Sequence, residues 1–182
     1  MPLQPSDQAP AFCAQLSGGK TVCLADYRGH RLVLIFVRHL ACLPCQEHLL
    51  EVQDSLPTIS EQGAQVLVVS FDTVEQLEGY RTRLKLTFPV AADPERVAYE
   101  AYGLTQGSFL HIWHPKTLWR YVVLRLKGRK LQRPKKGDDL SQLGGDFVVN
   151  ARGEVVFAHY SSRPDDRPEV AAIMDAVSTH SR

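Results

Sequence analysis

No stretch of this sequence approaches the roughly 18 consecutive apolar residues of a membrane-spanning helix. The opening MPLQPSDQAPAFC has neither the basic start nor the apolar core of a secretion signal, so the expectation is a soluble, cytoplasmic protein with no membrane partner. Charge of one sign is missing as well. Lys and Arg number 21 against 20 Asp and Glu, a net charge of +1, which excludes both a charge-repelled disordered chain and a dedicated nucleic-acid binder. Cysteine is scarce, at four residues, and four in a cytoplasmic chain of this length do not make a disulfide framework. Metal-ligand clusters are lacking too: only His39 and His48 stand near the one close cysteine pair, short of the four ligands of a structural site. No metal and no other cofactor is expected, and a structural metal site at that pair is a minor alternative that metal analysis of chelator-free protein would expose.

What is present centres on LVLIFVRHLACLPCQEHLL, residues 32–50. Leu32 to Val37 is a short apolar run rich in branched side chains, suited to a strand covered on both faces. Cys42 and Cys45 follow with Pro44 between them, and then Gln46 to Val52 takes amphipathic helical spacing. The two cysteines therefore stand at a helix N-terminus, where free N–H groups and the helix dipole favour a thiolate, the nucleophilic form. Cys-x-x-Cys between a buried strand and a helix is the context of a thioredoxin-like redox motif; the alternative is a pair of small buried hydrophobes. Arg38 and His39 flank the turn, where a cation would lower a thiol pKa further or orient a substrate oxygen.

At 182 residues the chain is most simply one domain, able to bury about 70 per cent of the surface its unfolded form exposes. Ala11 to Leu16 and Lys20 to Leu24 read as a hairpin about Ser17-Gly18-Gly19, with Cys13 and Cys23 on neighbouring rungs, either simply packed or joined in a reversible disulfide. The helix after Cys45 is expected to weaken near Pro57. Ala64 to Phe71 reads as a second buried strand, and Thr73 to Leu86 as a helix with Asp72 as N-cap and Glu75 in its first turn. Phe88 to Ala91 is a short extended piece. Asp93-Pro94 opens another helix that Gly103 closes, Phe147 to Asn150 and Val155 to Tyr160 form a hairpin, and Pro168 to Ser178 is the last helix. Strands alternating with helices before a closing hairpin and helix imply an α/β fold with a central mixed sheet and helices on both faces.

One segment departs from this pattern. Residues 116–136 hold nine Lys or Arg and no acidic residue, interleaved with Trp119, Tyr121, Val122, Val123, Leu124 and Leu126. The first half can be helical and the second reads as an exposed loop. It is a solvated insertion, a lid or anion-binding surface beside the active site, or a binder of nucleic acid or acidic membrane; the near-neutral chain disfavours the last.

Three stretches, QAPAFCAQLSGGKTVCLADYRGHRLVLIFVRHLACLPC, FPVAADPERVAYEAYGL and QLGGDFVVNARGEVVFAHYSSRPDD, together resemble the peroxiredoxin-like branch of the AhpC/TSA superfamily, over residues 8–180 and least well over 105–140. The resemblance implies a thioredoxin-like fold over residues 1–182, with 105–140 a basic insertion. It also implies thiol-based reduction of hydroperoxides or disulfides, with electrons returned by a thioredoxin- or glutaredoxin-type dithiol, and a homodimer, since relatives often pair. Setting Cys45 on the family's peroxide-attacking cysteine places Cys42 on its Thr/Ser position and Arg38 on its Pro position, leaving no hydroxyl there. Gly144-Gly145 stand where thioredoxins have a cis-proline and typical peroxiredoxins an Arg; they are either a simple turn or a place where a substrate backbone comes close. Cys42 attacks by analogy with thioredoxins and Cys45 by analogy with peroxiredoxins, and both routes end in a Cys42–Cys45 disulfide. The competing reading is a redox sensor or partner-binding protein of the same fold, which would oxidise once rather than cycle with a dithiol donor.

Overall fold

The chain opens as a hairpin, β1 (Cys13–Leu16) and β2 (Thr21–Cys23), in which Cys13 and Cys23 are direct cross-strand partners joined in a disulfide. This computed structural model describes residues 2–39, 41–108, 114–128 and 139–179. β3 (Arg31–Phe36) leads into α1 (Leu43–Asp54) and, past a break at Ser55, α2 (Leu56–Glu61). Pro57 lies in the first turn of α2, where a missing N–H costs nothing, so it starts a second helix instead of fraying the first. β4 (Ala64–Ser70), α3 (Val74–Leu84), β5 (Val90–Ala92) and α4 (Val97–Ala101) come next. They are followed by α5 (Pro115–Leu126), β6 (Gly145–Val149), β7 (Val155–Tyr160) and α6 (Val170–Thr179).

The seven strands form one mixed sheet in the order β2-β1-β5-β4-β3-β6-β7. β3 is fully buried near its middle, parallel to β4 and antiparallel to β6. Its alternation feeds two cores. Val33, Ile35 and Val37 join Leu49 and Val52 of α1, Leu77 of α3, and Ile173 and Val177 of α6 on one face. Leu32, Leu34 and Phe36 join Phe12, Tyr99, Tyr102 and Phe147 on the other. The α/β mixed sheet with a layer on each face is thus the architecture expected from the sequence.

Local details differ from the reading. The cap of α3 is Thr73, closed by a capping box with Gln76, whereas Asp72 accepts from the Ser70 hydroxyl at 2.6 Å. Asp93 does cap α4, taking the N–H groups of Val97, Ala98 and Tyr99, but from one turn back, because Arg96 in left-handed backbone makes the entry. The helical half of the basic segment is α5; residues 129–136 of the segment lie outside the described residues. Among the described residues no helix is long and apolar enough to cross a membrane.

Candidate active site

The polypeptide leaves β3 at the centre of the sheet and turns into α1, with Cys42 as N-cap and Cys45 in the first turn behind Pro44. Pro44 fits there because that N–H would have no helical partner, so the proline helps fix the start of α1. Both free thiols are wholly buried and belong to the core beside α1.

Two arginines converge on them. Arg38, itself buried, donates through Nε to the Gln142 carbonyl at 3.0 Å and through Nη2 to that of Leu140, and its Nη1 lies 3.8 Å from Cys42 Sγ. Arg167, from the segment between β7 and α6, places Nη2 3.5 Å from Cys45 Sγ and 3.0 Å from the Phe36 carbonyl. Its Nη1 donates to Asp146 Oδ2 at 2.9 Å, and the other oxygen of Asp146 meets His48 Nε2 at 2.7 Å. The register explains this convergence. β6 sets Asp146 opposite Ile35, on the sheet face that carries α1, and His48 lies three residues beyond Cys45 on that helix.

These contacts separate the two thiols. Burial, and then the adjacent Cys45 sulfur, push the Cys42 thiol up against weaker pulls from Arg38 and the Tyr121 hydroxyl, so Cys42 keeps its proton. Burial opposes a charge at Cys45 as well. There it is outweighed by the hydrogen bond from Cys42, the guanidinium of Arg167 and that of Arg38, which take Cys45 well below an ordinary thiol. Of the pair, Cys45 is the one whose surroundings favour the charged form.

The double glycine has a local cause. A Cβ on Gly144 would stand 2.1 Å from the Phe36 carbonyl oxygen and 2.5 Å from Arg167 Nη2, and one on Gly145 would meet Leu104 and the His159 carbonyl within 3 Å. Gly145 is already strand, two residues earlier than the sequence suggests. The space a substrate backbone would need is filled by the protein itself, and the bare backbone admits Arg167. His39 is buried rather than solvent-facing, and its carbonyl accepts the Cys42 N–H at 3.1 Å.

Helix α5 covers the other side of the pair. Thr117, Tyr121 and Leu124 form its inner face by helical spacing; Tyr121 places its hydroxyl 3.5 Å from Cys42 Sγ, and burial pushes its pKa up, so it remains a donor. A cleft of about 320 Å³ runs between α1, α5 and the segment before α6, lined by Pro44, His48, Glu51, Arg120, Arg167 and Glu169 among others. A larger cleft of about 590 Å³ lies by Cys13, Thr73 and Asp93; neither cleft is lined by a free thiol, and the smaller one is the nearer to the pair, being lined by Pro44 between them and by Arg167, which contacts Cys45.

Of the residues singled out from sequence, Cys42, Cys45, Arg38, His39 and Gly144 are brought together, and Gly145 stands behind them. Sequence reasoning does not single out Arg167 or Asp146, and names His48 and Tyr121 without a role at the thiols. His48 was available from helical spacing to Cys45, and Asp146 as an acid opening an apolar strand; nothing local marked Arg167, 122 positions from its thiol.

The family model described as AhpC/TSA family matches residues 5–158. Rv2521 of Mycobacterium tuberculosis, a protein named as a peroxiredoxin, is 29% identical over 87% of this chain and 86% of its own. Peroxiredoxin-like 2C of Bos taurus is 21% identical over 88% of this chain and 74% of its own. Among solved structures, peroxidoxin BcpB of Mycobacterium tuberculosis superposes with a TM-score of 0.72 at 13% identity, covering 97% of each chain, which shows a shared fold.

Proposed function

Because this chain belongs to the AhpC/TSA family, we propose that it is a thiol peroxidase in which Cys45 attacks the peroxide and Cys42 resolves the product. The observation that carries this assignment is the electrostatic split between the thiols: Arg167 and a hydrogen bond from Cys42 favour the charged form at Cys45, while Cys42 stays protonated. The attacker is the thiol in thiolate form, and here that is the second cysteine of the motif.

In the first step the Cys45 thiolate attacks the terminal oxygen of R–O–O–H. The O–O bond breaks, Cys45 becomes a sulfenic acid, and an alkoxide leaves. The nearest proton is on Cys42. Passing it to the alkoxide completes the alcohol product and leaves Cys42 as a thiolate. That thiolate attacks the Cys45 sulfur, an S–S bond forms, and the hydroxide expelled takes a proton to become water. A thioredoxin- or glutaredoxin-type dithiol then returns two electrons. Arg167 holds the attacking charge in the first step, and the Tyr121 hydroxyl is placed to stabilise the resolving charge in the second. Both sulfurs are buried, so the peroxide reaches them only as side chains around the cleft shift. In a cytoplasmic setting the pair returns to the reduced state between turnovers.

The test treats reduced protein with one equivalent of hydrogen peroxide and maps every cysteine by mass spectrometry, in wild type and in Cys42→Ser and Cys45→Ser. A Cys42–Cys45 disulfide in wild type, with sulfenic acid trapped at Cys45 in Cys42→Ser, is the expected result. Sulfenic acid at Cys42 in Cys45→Ser, forming as fast as the wild-type disulfide, would reverse the roles. Thiols left reduced in all three proteins would remove peroxide as the substrate. The Cys13–Cys23 peptides are followed separately in the same digest.

A further inference from the structure

Four of the five exposed large apolar side chains among the described residues lie on α5: Leu118, Trp119, Val122 and Leu126, the fifth being Val97. Trp119 is 68% exposed and Leu126 81%. At about 100° per residue the four fall within an arc of roughly 100°, on the side of the helix away from Thr117, Tyr121 and Leu124. Helix α5 is therefore apolar on two faces, one packed on the domain and one open to solvent. A concentrated apolar stripe of this kind marks a contact surface. Helical spacing sets Arg125 on one border of the stripe and Lys116, Arg120 and Lys127 on the other, and residues 116–136 hold no acidic side chain.

We propose that this outer face of α5 docks the dithiol protein that reduces the Cys42–Cys45 disulfide, through an apolar patch rimmed by acidic side chains. The inference rests on the peroxidase reading for the existence of that disulfide. Its own support is positional and electrostatic. The inner face of the same helix touches Cys42 through Tyr121, and both sulfurs are buried, so α5 is one of the elements that must shift before a donor thiol meets them. A second copy docked helix to helix would oppose the basic rims of two helices that carry no acidic side chain of their own. An anionic bilayer would satisfy the charges but carries no thiol, and leaves the delivery of two electrons unanswered.

The exchange runs in two steps. A donor thiolate attacks Cys42 Sγ, the S–S bond breaks, and Cys45 leaves as the thiolate that Arg167 holds, the better leaving group of the two. The donor's second thiolate then attacks the mixed disulfide; Cys42 leaves and takes a proton, and the donor departs as a disulfide.

The experiment starts from protein oxidised with diamide, so that docking is read even if peroxide is not the oxidant. Reduction of the Cys42–Cys45 disulfide is followed in rapid mixing with reduced thioredoxin, reduced glutaredoxin or dithiothreitol, in wild type, Trp119→Glu and Leu126→Glu. Each variant is expected to slow reduction by the preferred protein donor about tenfold, a loss of about 1.4 kcal/mol of docking energy. Dithiothreitol reduction and peroxide oxidation of Cys45 should change by less than about twofold, the scale of surface substitutions. In wild type the protein-donor rate should fall with added salt. An unchanged protein-donor rate overturns the proposal. So does an equal loss with dithiothreitol, or a wild type that dithiothreitol reduces and neither protein does. Binding of wild type, but not Trp119→Glu, to phosphatidylserine vesicles with reduction unaffected would hand the stripe to a membrane surface instead.

Discussion

Arg167→Met is expected to slow the reaction of Cys45 with hydrogen peroxide at pH 7 by about 100-fold, the usual cost of removing one preorganised donor from a reacting charge. Arg167 is the strongest charged partner lowering the Cys45 thiol, ahead of Arg38, and burial alone would push that thiol up. Without the guanidinium, burial is opposed only by Cys42 and Arg38. The pH profile separates this from general damage. In wild type these partners lower the Cys45 thiol, so the rate should depend less steeply on pH there. In the variant the rate should climb about tenfold per pH unit through neutrality, as the thiolate fraction does when pH lies below the pKa. Alkylation of Cys45 by iodoacetamide, followed against pH in Cys42→Ser backgrounds, reads the same shift without peroxide. A flat profile in Arg167→Met would show that Cys42 and Arg38 suffice.

Asp146→Ala should be the most destabilising single change at the site, at about 3–5 kcal/mol, because it strands a buried guanidinium without its carboxylate. Arg167 exposes 6% of its side chain and Asp146 none, so water cannot take over. His48 loses its partner in the same change. Urea unfolding at pH 7 measures the cost, and a loss below about 1 kcal/mol would refute the pairing as a structural element. The wild type adds a pH signature. Burial raises the Asp146 carboxyl, but His48 and Arg167 outweigh it and hold the folded pKa at about 2, below the ordinary aspartate range. A depressed carboxyl stabilises the fold above its unfolded pKa and loses that contribution as pH falls through the folded one. About 2 kcal/mol of stability should therefore disappear between about pH 4 and pH 2. Asp146→Asn, which has no carboxyl to titrate, should be flatter over that window.

What could be read in advance was whatever the chain states locally. The run from Leu32 to Val37 announces a strand closed on both faces, and Cys42, Pro44 and Cys45 announce a helix start, because dihedral preference and periodicity act over a few neighbours. Counting rungs about two glycines sets Cys13 and Cys23 on neighbouring rungs, and the strand register brings them directly opposite, where they join in a disulfide. Which thiol ionises could not be read, since the deciding cation comes from a segment across the sheet and its carboxylate from another strand. The double glycine was visible, but its purpose depends on the Phe36 carbonyl, brought beside it by a strand pairing. Tyr121 stands in a segment whose strongest sequence signal is its charge, while its contact with Cys42 depends on the small inner face of α5.

The position of Arg167 has a further consequence during synthesis. The match to the family model ends at residue 158, and Arg167 lies beyond it, close to the last helix. A chain emerging from the ribosome presents Cys42 and Cys45 long before the segment that carries this arginine. The Asp146 that anchors it also emerges late. Until both have left the exit tunnel and packed, the principal cation that activates Cys45 is absent, and the nascent thiol lacks most of its eventual acidity. On the proposed roles, Cys45 gains its full set of activating partners only once Asp146 and Arg167 have packed beside it.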